Sequence, residues 1–195
     1  MVQKVPAGVP KILYVLIIII LVAMYYYAAF VDVSQPEQVV EEFYTAYFNR
    51  DFETVSANLS VFWSVQFLPQ YTSLSPAELL NNRDAIIKEV RQVIAEGEKE
   101  NILEEDYSIE VLPEYTRQGT NSALVVYSIK ENGREVSLEM AILIKEDSQF
   151  LIFNMMPTNK EALDMITHED FKALEESLGK LLQAEYIHQE ALTAS

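Results

Sequence analysis

The chain has 195 residues, no cysteine and a net charge of −16, from 30 acids against 14 Lys and Arg. The absence of thiols excludes disulfides and thiolate metal sites. A surface this acidic repels phosphate backbones, which argues against nucleic acid as a partner.

The first predicted element is Ile12 to Val31, which carries no charge, proline or glycine. At ~1.5 Å of rise per residue a helix of this length spans ~30 Å, the thickness of a bilayer's hydrocarbon core. Tyr25, Tyr26 and Tyr27 fall near its end, where amphipathic rings favour the headgroup region. A buried core helix is usually shorter and amphipathic. A cleaved signal peptide has a shorter apolar core and a small-x-small site, whereas bulky Tyr27 precedes Ala29 by two. The stretch therefore reads as an uncleaved membrane anchor in contact with lipid. Lys4 and Lys11 precede it, and every acid in the chain follows it. This asymmetry predicts a cytoplasmic N-terminus and an extracytoplasmic remainder. The organisation is then a tail (1–11), a transmembrane helix (12–31), an extracytoplasmic α+β domain (32–157) and a C-terminal helical extension (158–195).

Ser34-Gln35-Pro36-Glu37 predicts a helix start with a hydroxyl cap. Val39, Val40, Phe43, Tyr44, Tyr47 and Phe48 then form one helical face, with Glu41 and Glu42 opposite. Asp51 is placed to cap a short second helix that carries Phe52, Val55 and Leu59 inward. Ser60–Phe67, aromatic and β-branched, reads as a short strand or extended crossing. Ser75-Pro76-Ala77-Glu78 predicts a capped helix that runs to about Gly97 on a stripe of Leu79, Leu80, Ile86, Ile87, Val90, Val93 and Ile94.

From Tyr107 the period falls to two. Tyr107, Ile109 and Val111 predict an edge strand ended by Pro113, and Ala123–Lys130 a central one. Asn132-Gly133 is a hairpin signal. It leads into a strand with Val136, Leu138, Met140, Ile142 and Ile144 on one face, and Glu135, Ser137 and Glu139 on the other. Gln149–Met155 closes an antiparallel meander with one face against helices. Capping boxes at Thr158 and Thr167 predict two final helices, the second with a stripe of Phe171, Leu174, Leu178, Leu181 and Leu182.

The order helix, short helix, crossing, long helix, antiparallel sheet resembles the nuclear-transport-factor-2-like superfamily over roughly Pro36–Pro157. The best local match is VVEEFYTAYFNRDFETVSANL, Val39–Leu59. The resemblance implies an α+β cone in which a curved sheet wraps the helices. The layout of tail, span and external cone is similar to the scaffold subunit of type IV secretion systems, and to cone domains of cell-wall and sporulation proteins.

Enzymes of that superfamily place acid and base side chains inside the cone. Here the only histidines, His168 and His188, lie in the C-terminal extension. His168, Glu169 and Asp170 diverge on a helix and make no metal site. The run from Glu98 to Asp106 lacks the glycine and spacing of a calcium loop. The sequence thus predicts no catalytic residue, no metal and no cofactor. The aromatic set from Phe43 to Phe67 reads first as core. A pocket at the mouth of the cone is the alternative, lined by Tyr44, Tyr47 and Trp63, each an apolar body with a polar tip. The expected function is a non-catalytic interaction or scaffold domain with a protein partner or self-association. A small-ligand or sensor domain is the alternative.

Overall fold

The computed structural model describes residues 17–21, 35–101 and 106–193. The chain divides into two units, residues 1–33 and 34–195. In the first unit residues 17–21 are helical. The rest of the predicted span, including Tyr25–Tyr27, lies outside the described residues. Among the described residues no helix is long and apolar enough to cross a membrane.

The second unit is α+β, with an open antiparallel sheet and helices. It begins with α1 (Pro36–Phe48), which has proline at its first position and Gln35 as a cap without a side-chain bond. The predicted cap, Ser34, lies outside the described residues. Val39, Val40, Phe43 and Tyr44 are buried, while Glu41 and Glu42 are exposed. Arg50 turns the chain at positive φ. Asp51 then caps α2 (Phe52–Ala57) by accepting the Thr54 N–H at 3.2 Å.

Two expectations fail here. Ser60–Phe67 is not a strand: α3 (Val61–Ser64) and a 3-10 turn (Val65–Phe67) occupy it. Extended backbone lasts only long enough for Leu59 to bridge Ile152 and for the Ser60 N–H to reach the Ile152 carbonyl. The Ser60 hydroxyl then accepts the Phe62 N–H at 3.1 Å and starts a helix, so the cap overrides β propensity. The long helix is also broken. The Ser75–Glu78 capping box starts α4 (Pro76–Asn81), but Asn82 leaves helical geometry and its side-chain amide bonds the Glu78 carbonyl at 2.7 Å. A separate α5 (Arg83–Gly97) follows, packed on α2 and α3.

The strands are β1 (Tyr107–Val111), β2 (Arg117–Gln118), β3 (Ser122–Glu131), β4 (Arg134–Glu146) and β5 (Gln149–Pro157). The order is β1-β3-β4-β5, with β2 also on β3. β3 is central and β1 lies at an edge, in line with their patterns. Asn132 and Gly133 both take positive φ, as the two-residue hairpin requires. Asp147 and Ser148 do the same between β4 and β5.

Both sheet faces are covered, not one. On one face Tyr127 of β3, Glu139 of β4 and Met155 of β5 meet Tyr44 of α1. On the other, Leu124 and Val126 pack with Leu163 and Phe171 of α6 (Lys160–Met165) and α7 (His168–Thr193), joined by Leu138 and Met140. Val136, predicted to share the apolar face of Leu138, has no cross-strand partner in the β3–β4 ladder. It is the residue left over where the β3–β4 register shifts, between Lys130↔Glu135 and Ile129↔Ser137, and it is 53 % exposed.

Glu175 of α7 ties the extension to the sheet. It accepts the Asn121 N–H at 2.7 Å and the Ser122 hydroxyl at 2.5 Å. Gly119 makes this possible, since a Cβ there would collide with the Glu175 carboxylate.

Candidate functional site

The aromatic face of α1 is only partly consumed by the core. Phe43 and Tyr44 turn in and are buried, whereas Tyr47, one helical turn further, is half-exposed. Tyr47 lies parallel to Phe43 at 6.5 Å between ring centres. Opposite them α3 and the turn after it present Trp63 and Phe67, edge to face at 5.8 Å. Val93, Ile94 and Gly97 from the end of α5 form the third wall, and Met155 of β5 lies between. The result is an open groove of about 490 Å³, within the ~300–1,000 Å³ usual for small-molecule sites.

All three predicted pocket residues, Tyr44, Tyr47 and Trp63, line this groove. Val93, predicted to be buried, is 41 % exposed at its edge, as is Phe67. The walls are nearly all apolar. The carboxylate among the lining residues is Glu98, which follows the last residue of α5. It accepts a hydrogen bond from the Asn101 amide at 2.8 Å. Arg50 crosses the same corner, donating to the Glu98 and Asn101 backbone carbonyls at 2.6 Å each. The Tyr47 phenol is pushed up to about 12 by burial, then by its hydrogen bond and charge repulsion with Glu98, with Arg50 opposing.

Behind the groove wall lies a polar knot that the sequence reading missed. The Tyr44 and Tyr127 hydroxyls are 2.8 Å apart. Both reach Glu139 Oε2, at 3.1 and 2.9 Å, and Tyr44 also lies 3.7 Å from Met155 Sδ. Burial first, and the neighbouring Glu139 carboxylate as well, hold both phenols well above the usual tyrosine range. Tyr44 therefore shows the groove its ring and gives its polar tip to the interior. Glu139, predicted to point away from the helices, points toward α1. Hairpin counting from Asn132-Gly133 pairs Tyr127 with Leu138. The register shift at Val136 moves the pairing by one, to Glu139.

A second buried carboxylate, Glu146, accepts the Ser60 hydroxyl at 2.5 Å and pairs with Arg83 at 2.7 Å. It stands away from the groove. His168 is exposed at the start of α7, where Thr167 and Asp170 form the predicted capping box. The side chain of His188 and residues 102–105 of the acidic run lie outside the described residues. Among the described residues no three His, Asp or Glu side chains are placed to hold a metal ion. Comparison with protein-family models, with curated proteins and with solved structures finds no match.

Proposed function

We propose that this chain is a single-pass membrane protein that displays a non-catalytic binding domain outside the cytoplasm, and that the aromatic groove between α1, α3 and α5 takes a small, largely apolar ligand. The groove itself carries the reading. Its volume suits a small molecule, its walls are aromatic and aliphatic, and Tyr44, Tyr47 and Trp63 come from two elements that a packed core would have brought into full contact. The reading treats the domain as a relative of the nuclear-transport-factor-2-like cone, on the grounds of helices seated in one face of an antiparallel sheet. The membrane span and its orientation rest on the apolar run 12–31 and the flanking charges.

Binding rather than catalysis is favoured by where the ionisable groups point. Tyr44, Tyr127 and Glu139 satisfy one another behind the wall, and the Tyr47 phenol that meets Glu98 in the lining is pushed up to about 12, above the range for acid–base work near neutral pH. A second reading, a scaffold domain for a protein partner, is favoured by Phe67 and Val93, both exposed at the edge. The chain has one tryptophan, and it lines the groove. Energy transfer from Trp63 to the uncharged anilinonaphthalene dye N-phenyl-1-naphthylamine therefore reports occupancy. The full-length chain should show saturable transfer that the Val93→Glu variant loses. Transfer that persists unchanged in that variant would place the dye elsewhere and remove the small-ligand reading.

A further inference from the structure

The groove's chemistry is more specific than apolar. Its walls offer the faces and edges of Phe43, Tyr47, Trp63 and Phe67, and its charged lining residue is a carboxylate, Glu98. Aromatic rings carry negative potential on their faces and attract cations, most strongly where water is displaced. We propose that the groove's ligand is an organic ammonium ion, its alkyl substituents packed against Trp63 and Phe67 and its positive charge set between the aromatic rings and Glu98. This rests on the groove being the binding site and adds the charge and class of the occupant.

Three observations carry it. First, Glu98 contributes anionic charge to a lining that is otherwise uncharged. Among the described residues its carboxylate contacts are Tyr47 and Asn101, both neutral donors, so its charge is oriented and no direct ion pair cancels it there. Second, Arg50 stands close but gives its guanidinium to backbone carbonyls of Glu98 and Asn101. Third, the whole chain carries −16, which draws cations and repels anions before any contact forms. An anionic amphiphile, such as a fatty acid, would meet the opposite field. A neutral apolar ligand would gain nothing from Glu98.

The test is calorimetry on the full-length chain in lipid nanodiscs with choline and with its neutral carbon isostere, dimethylbutanol. Protein-free nanodiscs serve as the blank. Choline should bind saturably and at least about tenfold more tightly than the isostere. Glu98→Gln should remove most of that difference. Trp63→Leu should weaken choline and the isostere together. Equal affinity for the two, or no effect of Glu98→Gln, would overturn the ammonium assignment. If choline fails while the anilinonaphthalene dye still occupies the groove, the assignment alone falls. If the dye fails too, the groove reading beneath it falls.

Discussion

The hydroxyl of Tyr127 lies 2.9 Å from Glu139 Oε2 on the adjacent strand, and the two residues are direct cross-strand partners. Tyr44 from α1 closes the group, so one buried hydrogen-bonded knot joins the first helix to the centre of the sheet. Bonds to a carboxylate are worth about 1.5–3 kcal/mol, and a partner left unsatisfied adds to the cost. Tyr127→Phe should therefore destabilise the fold by about 2 kcal/mol in chemical denaturation. Tyr44→Phe should cost less, since Tyr127 and Glu139 still satisfy each other. Equal and negligible losses would show that the knot contributes nothing to stability.

The same phenols set an alkaline limit. Both are held above the ordinary tyrosine value of 10.0 in the folded state. The unfolded chain therefore loses these protons first as pH rises. The stability they contribute is fully present below pH 10.0 and is lost above it, by about 1.4 kcal/mol per pH unit for each phenol. The slope of stability against pH above 10.0 should shrink in the Tyr44→Phe/Tyr127→Phe double variant. An unchanged slope would contradict the assignment.

Glu146 works in the acid range. Burial raises its carboxyl above the ordinary glutamate value of 4.5, although Ser60 and Arg83 both favour the charged form. Because the folded value lies above the unfolded one, folding takes up a proton, and this contribution falls as pH climbs from 4.5 through the raised value. Removing Arg83 should strand a buried carboxylate and cost about 3–5 kcal/mol near neutrality. Arg83→Met should thus recover stability on acidification. Glu146→Gln should cost less, because Arg83 is 22 % exposed at its side chain and can turn to water. Thermal melts from acid to neutral pH distinguish the two variants, and the reverse ranking would refute the account of this pair.

The clasp between α7 and the β2–β3 turn predicts a non-additive pair. Gly119→Ala should push the Glu175 carboxylate aside, breaking its bonds to Asn121 and Ser122 at a cost of about 1–3 kcal/mol. In a Glu175→Ala background the same substitution should cost little, because the obstacle is gone. A double-mutant cycle measures the coupling, and additive losses would contradict it.

Four of the five strands and three of the helix starts were legible because their signals are local. Asn132-Gly133 fixed a hairpin, and Ser75, Asp51 and Thr167 placed caps. Tyr44, Tyr47 and Trp63 were singled out by amphipathic chemistry, and the fold brings them to one groove. What could not be read depends on contacts distant in sequence. Ser60 switches from strand to helix because Ile152 ends its extended run and its own hydroxyl caps the next turn. Glu139 faces inward because α1 covers the second face of the sheet, and it meets Tyr127 because of a one-residue shift at Val136, which nothing near the turn announces. Val93 fits the buried stripe of α5 by spacing, yet among the described residues no element packs over that end of the helix, and the gap is the groove.

The central claim joins two parts, a groove open at Phe67 and a domain outside the cytoplasm. The chain lacks cysteine, so a single Phe67→Cys substitution creates a unique label site at the groove's edge. A membrane-impermeant maleimide applied to intact cells should label it, and a bound apolar ligand should slow the reaction. Labelling that appears only after the cells are permeabilised would contradict the account.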